Sequence, residues 1–373
     1  MRKQHLSFRH DEVSYITKRW KAVENVSLVG VGSVGKSNLL HHLTDNDVHL
    51  EYLKEPSKDF NTIIIAPYFL GPLPAGGNNT EQYKCWAGIE LIMHRLYMAF
   101  YPFNFLNEED AQRFFELYQA LQNGNNPLFA YMGLRYLELG LKILFDNNIR
   151  IVLMFDEFDE FLNVMPATFF QILRGIRDNY KNNLTFLTFT RTPLPVLVNR
   201  LNIDYYSIEP FIELFTDNVL YVGPYNDDDA LTMLNILMKR NSENVYPDHI
   251  LRFLLHASGK FAGIIRASFR ALESLGHIHP QDIYDETLIQ KLSQRTSVKT
   301  ESKTIWLSLS PIEQQVLKTV AQLATYTESE MFDEAIKMLL QKRLLTIDRN
   351  SETLTITPPI FKHFIQTNPT ISE

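Results

Sequence analysis

The stretch "SLVGVGSVGKSNLLHHL", residues 27–43, sets an apolar run against three glycines in six residues, then Lys36, Ser37 and a leucine-rich segment. It fits the pattern G-x-x-x-x-G-K-S/T, with Gly30, Gly35, Lys36 and Ser37 in register. Such a loop ends a buried strand and opens a helix, so it constrains the fold as much as the chemistry. Its glycines let backbone N–H groups turn inward around phosphate oxygens, and the following helix adds its positive N-terminal end. Lys36 is expected to reach the β- and γ-phosphates, and Ser37 to ligate Mg²⁺. The expected cradle is Gly30, Gly32, Ser33, Val34, Gly35, Lys36, Ser37 and Asn38.

Strand-like runs recur along the chain. "NVSLVG" (25–30), "TIIIAPYF" (62–69), "IRIVLMF" (149–155), "LTFLTFT" (184–190) and "NVLYVG" (218–223) are short and rich in β-branched or aromatic residues. Helical spacing fills 36–43, roughly 82–99, 108–122, 128–146 and 166–180. This alternation predicts an α/β domain of the P-loop NTPase type: a mostly parallel sheet with helices on both faces and ligands along the edge where strands end. From about 226 to 294 the pattern is wholly helical. "SQRTSVKTESK" is polar, lacks apolar periodicity and reads as a linker. From 304 the pattern gives three helices and two short β segments around "DRNSET", the outline of a winged helix. The expected organisation is an α/β nucleotide domain (1–224), a helical lid (225–294), a linker (295–303) and a winged-helix domain (304–373).

The 373 residues are 45% hydrophobic, enough for a sizeable core, and the net charge of −7 supplies no general basic field for nucleic acid. The single cysteine, Cys85, cannot close an internal disulfide and fits a reducing, cytoplasmic setting. The first residues carry no apolar signal core. The most apolar helical candidate, "CWAGIELIMHRLYMAF", is interrupted by Glu90, His94 and Arg95, so no membrane partner is expected. His41 and His42 are neighbours on a helix and do not face each other, and His277 and His279 lack a third ligand. The aromatic run "FYPFNFL" (100–106) reads as core packing between helices.

"IVLMFDEFDEF" places Asp156 and Glu157 at the end of a buried strand, where carboxylates can face a phosphate loop. Asp156 is expected to hold Mg²⁺ and Glu157 to polarise the attacking water. Asp159 and Glu160 read as a solvated acidic helix start. One strand, at 62–69, separates the loop strand from the acidic strand in the sequence, which predicts an extra strand between those two in the sheet. That arrangement belongs to ATPases with a catalytic glutamate. No N-K-x-D motif for guanine is present, so adenine is the expected base.

With these motifs in order, the sequence resembles the AAA+/STAND ATPases, in particular their prokaryotic, initiator-like branch, over almost the whole chain. "FRHDE" resembles the R-x-x-E segment before the first strand, with Arg9 and Glu12 in the matching places. The resemblance implies a role for Arg9 near the adenine. "LTFLTFTRTPL" resembles the strand carrying a γ-phosphate sensor, which implies that Arg191 contacts the terminal phosphate. "LYVGPYNDDDALTML" resembles the join to the lid and implies that Pro224 packs near the adenine. "ASGKFAGIIRASFRAL" resembles a lid helix whose early arginine reaches the γ-phosphate, here Arg266; the family often has proline where this chain has Ala262 or Gly263.

From 301 onward there are seven Lys or Arg against nine Asp or Glu, and the first turns of the expected third helix carry Glu328, Glu330, Asp333 and Glu334. Four carboxylates there meet phosphate repulsion, and the wing adds little beyond Arg349. The winged helix is therefore expected to act as a regulatory lid or protein contact. The expected function is an ATP/ADP–Mg²⁺ switch that hydrolyses slowly or on stimulation and self-associates in the ATP state. The alternative is a DNA-associated ATPase, initiator-like or transposition-regulator-like, assembling on duplex DNA. The short flanks leave no room for a fused effector, so the output is expected in a separate partner protein. Arg174 and Arg177 are candidates for a trans-acting arginine.

Overall fold

A computed structural model describes residues 3–56, 58–71, 80–122, 129–240, 246–322, 330–347 and 353–368. Five strands form one sheet: β1 (Val26–Val29), β2 (Phe60–Ile65), β3 (Arg150–Phe155), β4 (Leu184–Thr190) and β5 (Val219–Tyr221), in the order β2-β3-β4-β1-β5. The strands run parallel, with Ile65 beside Phe155 and Phe155 beside Thr188 in the register. Burial follows position. All seven residues of central β4 are buried, as are the four of β1. The edge strands β2 and β5 are only partly covered. A strand covered on both faces needs a continuous apolar run, and these sequences supply one.

The five strands fall where the apolar runs predict them, within a few residues. Their order differs from the sequence-based expectation in one respect. A strand does separate the loop strand from the acidic strand, but it is β4, later in the chain. The 62–69 segment becomes edge strand β2. Chain order cannot reveal this, because a crossover helix can carry the next strand to either side.

The helices around the sheet are α1 (His10–Lys21), α2 (Lys36–Leu43), α3 (Asn46–Val48, continued by a π turn), α4 (Thr80–Phe100), α5 (Glu108–Gln122), α6 (Phe129–Asp146), α7 (Phe158–Val164), α8 (Ala167–Asn179), α9 (Leu194–Arg200) and α10 (Tyr205–Ile212). A core of Ile89, Leu96, Phe114, Leu153, Phe158, Phe170, Phe186 and Phe211 joins α4, α5, α8 and α10 to the sheet. In the 100–106 run, Phe100 and Phe103 are buried as expected, whereas Tyr101 and Phe105 are exposed. Cys85 is buried, which pushes its thiol up to about 11 and leaves it unreactive at neutral pH.

Then follow α11 (Asp227–Arg240), α12 (Asp248–Ser258), α13 (Ala262–Ala271), α14 (Glu286–Ser293), α15 (Thr296–Leu307), α16 (Pro311–Ala321) and α17 (Glu330–Gln341). A two-stranded antiparallel ribbon, β6 (Leu345–Ile347) and β7 (Leu354–Ile356), and α18 (Pro359–Thr367) complete the chain. Glu328, Arg349 and the "DRNSET" turn lie outside the described residues. The segment 295–303 is a correction to the linker reading: Arg295 caps α15 and 296–303 lie within it, the helix burying Val298, Ser302, Ile305 and Trp306 along one face. No described helix is long and apolar enough to cross a membrane.

The chain packs as two compact units. One comprises Met1–Leu28 with Ser37–Leu220; the other comprises Val29–Lys36 with Tyr221–Glu373. The phosphate loop thus belongs by its contacts to the later, mainly helical unit.

Candidate functional site

Val31 and Val34 are fully buried and anchor the loop that leaves β1. Ser33 and Gly35 take positive φ, 63° and 97°. Alternation of left-handed and right-handed backbone points successive N–H groups into one concavity, the geometry that cradles an anion. The Lys36 ammonium lies 3.3 Å from the carbonyl of Gly30, across the loop. α2 begins at Lys36 and contributes its N-terminal end. These features fit phosphate.

Inside the same unit the loop is closely packed. The Gly263 N–H donates to the Ser33 carbonyl at 2.8 Å. A Cβ on Gly35 would lie 2.9 Å from the Tyr225 hydroxyl, and one on Gly32 would lie 2.6 Å from Cγ2 of Thr304. Glycine is needed at both places because another element occupies the space a side chain would take. Tyr225 is buried and its N–H donates to the Lys260 carbonyl at 3.0 Å. Sequence reasoning selected its neighbour, half-buried Pro224, and missed Tyr225. Arg266 is exposed on α13, one turn beyond Gly263 and on the same side of the helix.

The edge of the sheet in the first unit gathers the acidic pair. The Asp156 N–H donates to the Ile65 carbonyl at 2.9 Å, and its Oδ1 accepts the Glu157 N–H at 3.0 Å. Glu157 sits at φ 47° as the residue that opens α7. Left-handed backbone in a non-glycine residue is strained, and such strain concentrates where a side chain must be aimed. Both carboxylates are half-buried. Ser37, the other residue expected at the cation, is exposed at the start of α2 in the same unit.

Thr190 ends β4 fully buried, and Arg191 follows, half-buried. Asp159 is not merely a solvated helix start, as its sequence position suggested: both its carboxylate oxygens lie 3.2 Å from the Arg191 backbone nitrogen. Two further residues were not legible. Tyr68 follows β2 with its ring largely exposed; partial desolvation and then the charges of Asp156 and Glu157 hold its phenol above its ordinary value, with Arg95 opposing. Arg95, from α4, donates to the Ile64 carbonyl at 3.1 Å and lies 4.5 Å over the Phe69 ring. Neither residue belongs to a local motif, so only the fold brings them to the acidic pair.

Arg9 is buried, adopts φ 48° and pairs with Glu12 at 2.6 Å. The R-x-x-E segment is thus an ion pair at the start of α1. Adjacent Phe8 stacks edge-on against His42 of α2, 5.3 Å between rings. A cleft of about 310 Å³ lies beside this segment, lined by Lys3, Gln4, Asn38, His41, His42, Thr44 and Asp45. Arg177 is mostly buried and donates to the Val23 carbonyl at 2.9 Å, so it is a structural arginine and not a trans-acting one. Arg174 is engaged by Asp178 at 2.8 Å and the Pro210 carbonyl at 2.7 Å.

No protein-family model matches the sequence, and no curated protein matches it as a relative. Solved structures do match. The Walker-type ATPase PABY2304 of Pyrococcus abyssi superposes with a TM-score of 0.51 at 15% identity, over 98% of this chain and 99% of that one. The ORC2 protein of Aeropyrum pernix, in an ADP form, gives 0.51 at 12% identity, over 99% and 96%. Identities this low establish fold. The chain shares this P-loop ATPase fold over nearly its whole length.

Proposed function

We propose that this chain is an ATP-binding and ATP-hydrolysing switch of the AAA+/STAND type. The observation that carries the reading is the phosphate loop itself. It has the backbone of an anion cradle, and it is packed against Gly263 of α13 and Thr304 of α15 rather than standing apart. A loop built into the helical unit can pass the state of its ligand to that unit. The proposed parts are a nucleotide domain (1–224), a helical lid (225–294) and a winged helix (304–373), with α15 in place of the linker.

Each chain residue has a role in this reading. Backbone N–H groups of the loop hold the phosphates, and Lys36 neutralises the β- and γ-oxygens. Ser37 and Asp156 would hold Mg²⁺, which supplies charge neutralisation on the phosphates. Glu157 orients the attacking water and draws its proton. Arg191 stabilises charge developing on the terminal phosphoryl group. Pro224 and Arg9 are assigned to the adenine, Asn38 to the phosphate cradle, and Arg266 to the phosphates from the lid. ATP favours an assembled form and ADP a closed monomer, with output through a separate partner protein.

The DNA-associated reading is weaker on the protein's own surface. Asp333 and Glu334 are exposed on α17, while Lys342 is fully buried against Glu313. One of the few basic side chains of this region is thereby withdrawn from any partner. A protein contact fits that surface better.

The test is nucleotide binding and solution mass. Wild type should bind ATP–Mg²⁺, and Lys36→Ala should lose at least about ten-fold in affinity. Glu157→Gln should keep ATP bound and give a larger mass by light scattering with ATP–Mg²⁺ than with ADP–Mg²⁺. Unchanged affinity in Lys36→Ala would refute the site. Equal mass in both states would refute the assembly.

A further inference from the structure

α15 places a carboxylate directly on the phosphate loop. The Ser33 hydroxyl lies 2.5 Å from Oε2 of Glu301 and 3.3 Å from the Glu301 carbonyl. One turn along the same helix, Thr304 fills the space beside Gly32. A further turn on, the Ser308 hydroxyl lies 3.4 Å from the Gly32 N–H. A second element on the loop is the start of α13. Gly263 donates its N–H to the Ser33 carbonyl, and a Cβ there would collide with Oε2 of Glu301 and lie 2.7 Å from Cβ of Ser33. Glycine at 263 is what admits the carboxylate. The seat suits an anion: a hydroxyl donor on one side and a helix N-terminus on the other.

We infer that Glu301 is an electrostatic latch on the phosphate loop, which opposes nucleotide binding and opposes ATP more than ADP. The inference rests on the nucleotide reading above and deepens it by assigning the regulation of that site. Its basis is charge. Ser33 is one of the eight residues of the loop, so phosphates held by the loop's N–H groups lie within a loop's width of the Glu301 carboxylate. Like charges at that separation repel appreciably where water is partly excluded. ATP brings one more phosphoryl group than ADP, so it meets the larger repulsion. By reciprocity, whatever the latch costs the nucleotide, the nucleotide costs the latch. ATP therefore loosens α15, and ADP leaves it seated. α15 joins the lid to the last helices, so its release is the signal passed on.

The experiment uses the full chain and Glu301→Gln. The amide oxygen still accepts from Ser33, so the hydrogen bond stays and only the charge goes. Calorimetric titration with ATP–Mg²⁺ and ADP–Mg²⁺ should show Glu301→Gln binding ATP about ten-fold tighter than wild type, and ADP about three-fold tighter. Both gains should shrink as salt rises, which a purely structural role does not predict. Hydrogen exchange across 296–307 should be faster in wild type with ATP–Mg²⁺ than with ADP–Mg²⁺. Unchanged or weaker ATP binding in Glu301→Gln, beside Lys36-dependent binding in wild type, would overturn the latch and leave the ATPase reading standing. Slower exchange of α15 with ATP would also overturn the latch. Failure of both wild type and Glu301→Gln to bind either nucleotide would refute the nucleotide reading and the latch with it. Binding by Glu301→Gln alone would support both.

Discussion

The Asp159 carboxylate straddles the backbone N–H of Arg191, with both oxygens 3.2 Å from the nitrogen. This contact ties the start of α7, just past the acidic pair, to the end of β4. The role proposed for Arg191 on the terminal phosphate requires a fixed backbone, and Asp159 holds that backbone. Asp159→Ala should cost about 1.5–3 kcal/mol of stability, the range for a hydrogen bond to a charged group. It should lower the hydrolysis rate more than ATP affinity, because the misplaced group acts late in the reaction. Asp159→Asn keeps an acceptor and should lie between. Denaturant titration and phosphate-release kinetics on the three proteins check this ordering.

Glu157, the proposed general base, sits on strained backbone. Its φ of 47° costs about 1–2 kcal/mol for a residue with a Cβ. Glu157→Gly removes that cost, although glycine loses more entropy on folding. The two effects nearly cancel, so Glu157→Gly should be as stable as wild type to within about 1 kcal/mol. Its hydrolysis should fall by at least about a hundred-fold. Glu157→Gln should lose activity to a similar degree and gain no stability. A large loss of stability in Glu157→Gly would show that the side chain is there for packing.

Much of this architecture was legible because its signals are local. The loop motif, the five apolar runs and the carboxylates ending β3 each sit within a dozen residues. What was not legible depends on long-range packing. The position of β4 between β1 and β3 follows from crossovers that leave no local trace. Residues 296–303 of α15 were read as linker because the buried face offers only Val298 and Ser302 there, before Ile305 and Trp306. A serine in the stripe breaks the apolar count while keeping the helical spacing. Glu301 is the neighbour of that serine, so the misreading of the helix concealed the carboxylate on Ser33. Asp159 looked solvated because its partner lies 32 residues away, just past the end of β4.

The buried pair of Lys342 and Glu313 holds the last helices together. The ammonium and carboxylate lie 2.6 Å apart, with side-chain exposures of 0% and 5%. Glu313 also accepts the Ser310 N–H at 2.8 Å, closing the capping box of α16. Lys342→Met leaves a buried carboxylate without its cation and should cost about 3–5 kcal/mol. Lys342→Met combined with Glu313→Gln should recover much of that loss, since the neutral amide keeps the cap. Thermal denaturation of the single and double variants measures the coupling.

Acid should weaken the fold through buried histidines. Burial holds His42 and His49 below the ordinary value of 6.5, with Asp45 opposing in each case. The Nε2–H of neutral His49 donates to the Leu43 carbonyl at 2.7 Å, and the two rings face Phe8 and Phe60. A group whose folded value is depressed is neutral in the native state while the unfolded chain already binds a proton. Stability from such a group is complete above 6.5 and is lost as pH falls from 6.5 toward the lower folded value. The melting temperature should therefore drop between about pH 7 and pH 5, beyond what carboxylate titration produces near pH 4. His42→Phe with His49→Gln should flatten that drop, at the expense of some stability at neutral pH. If the slope is the same in the double variant, protonation of other groups governs the acid response, and neutral burial of these two rings does not set it.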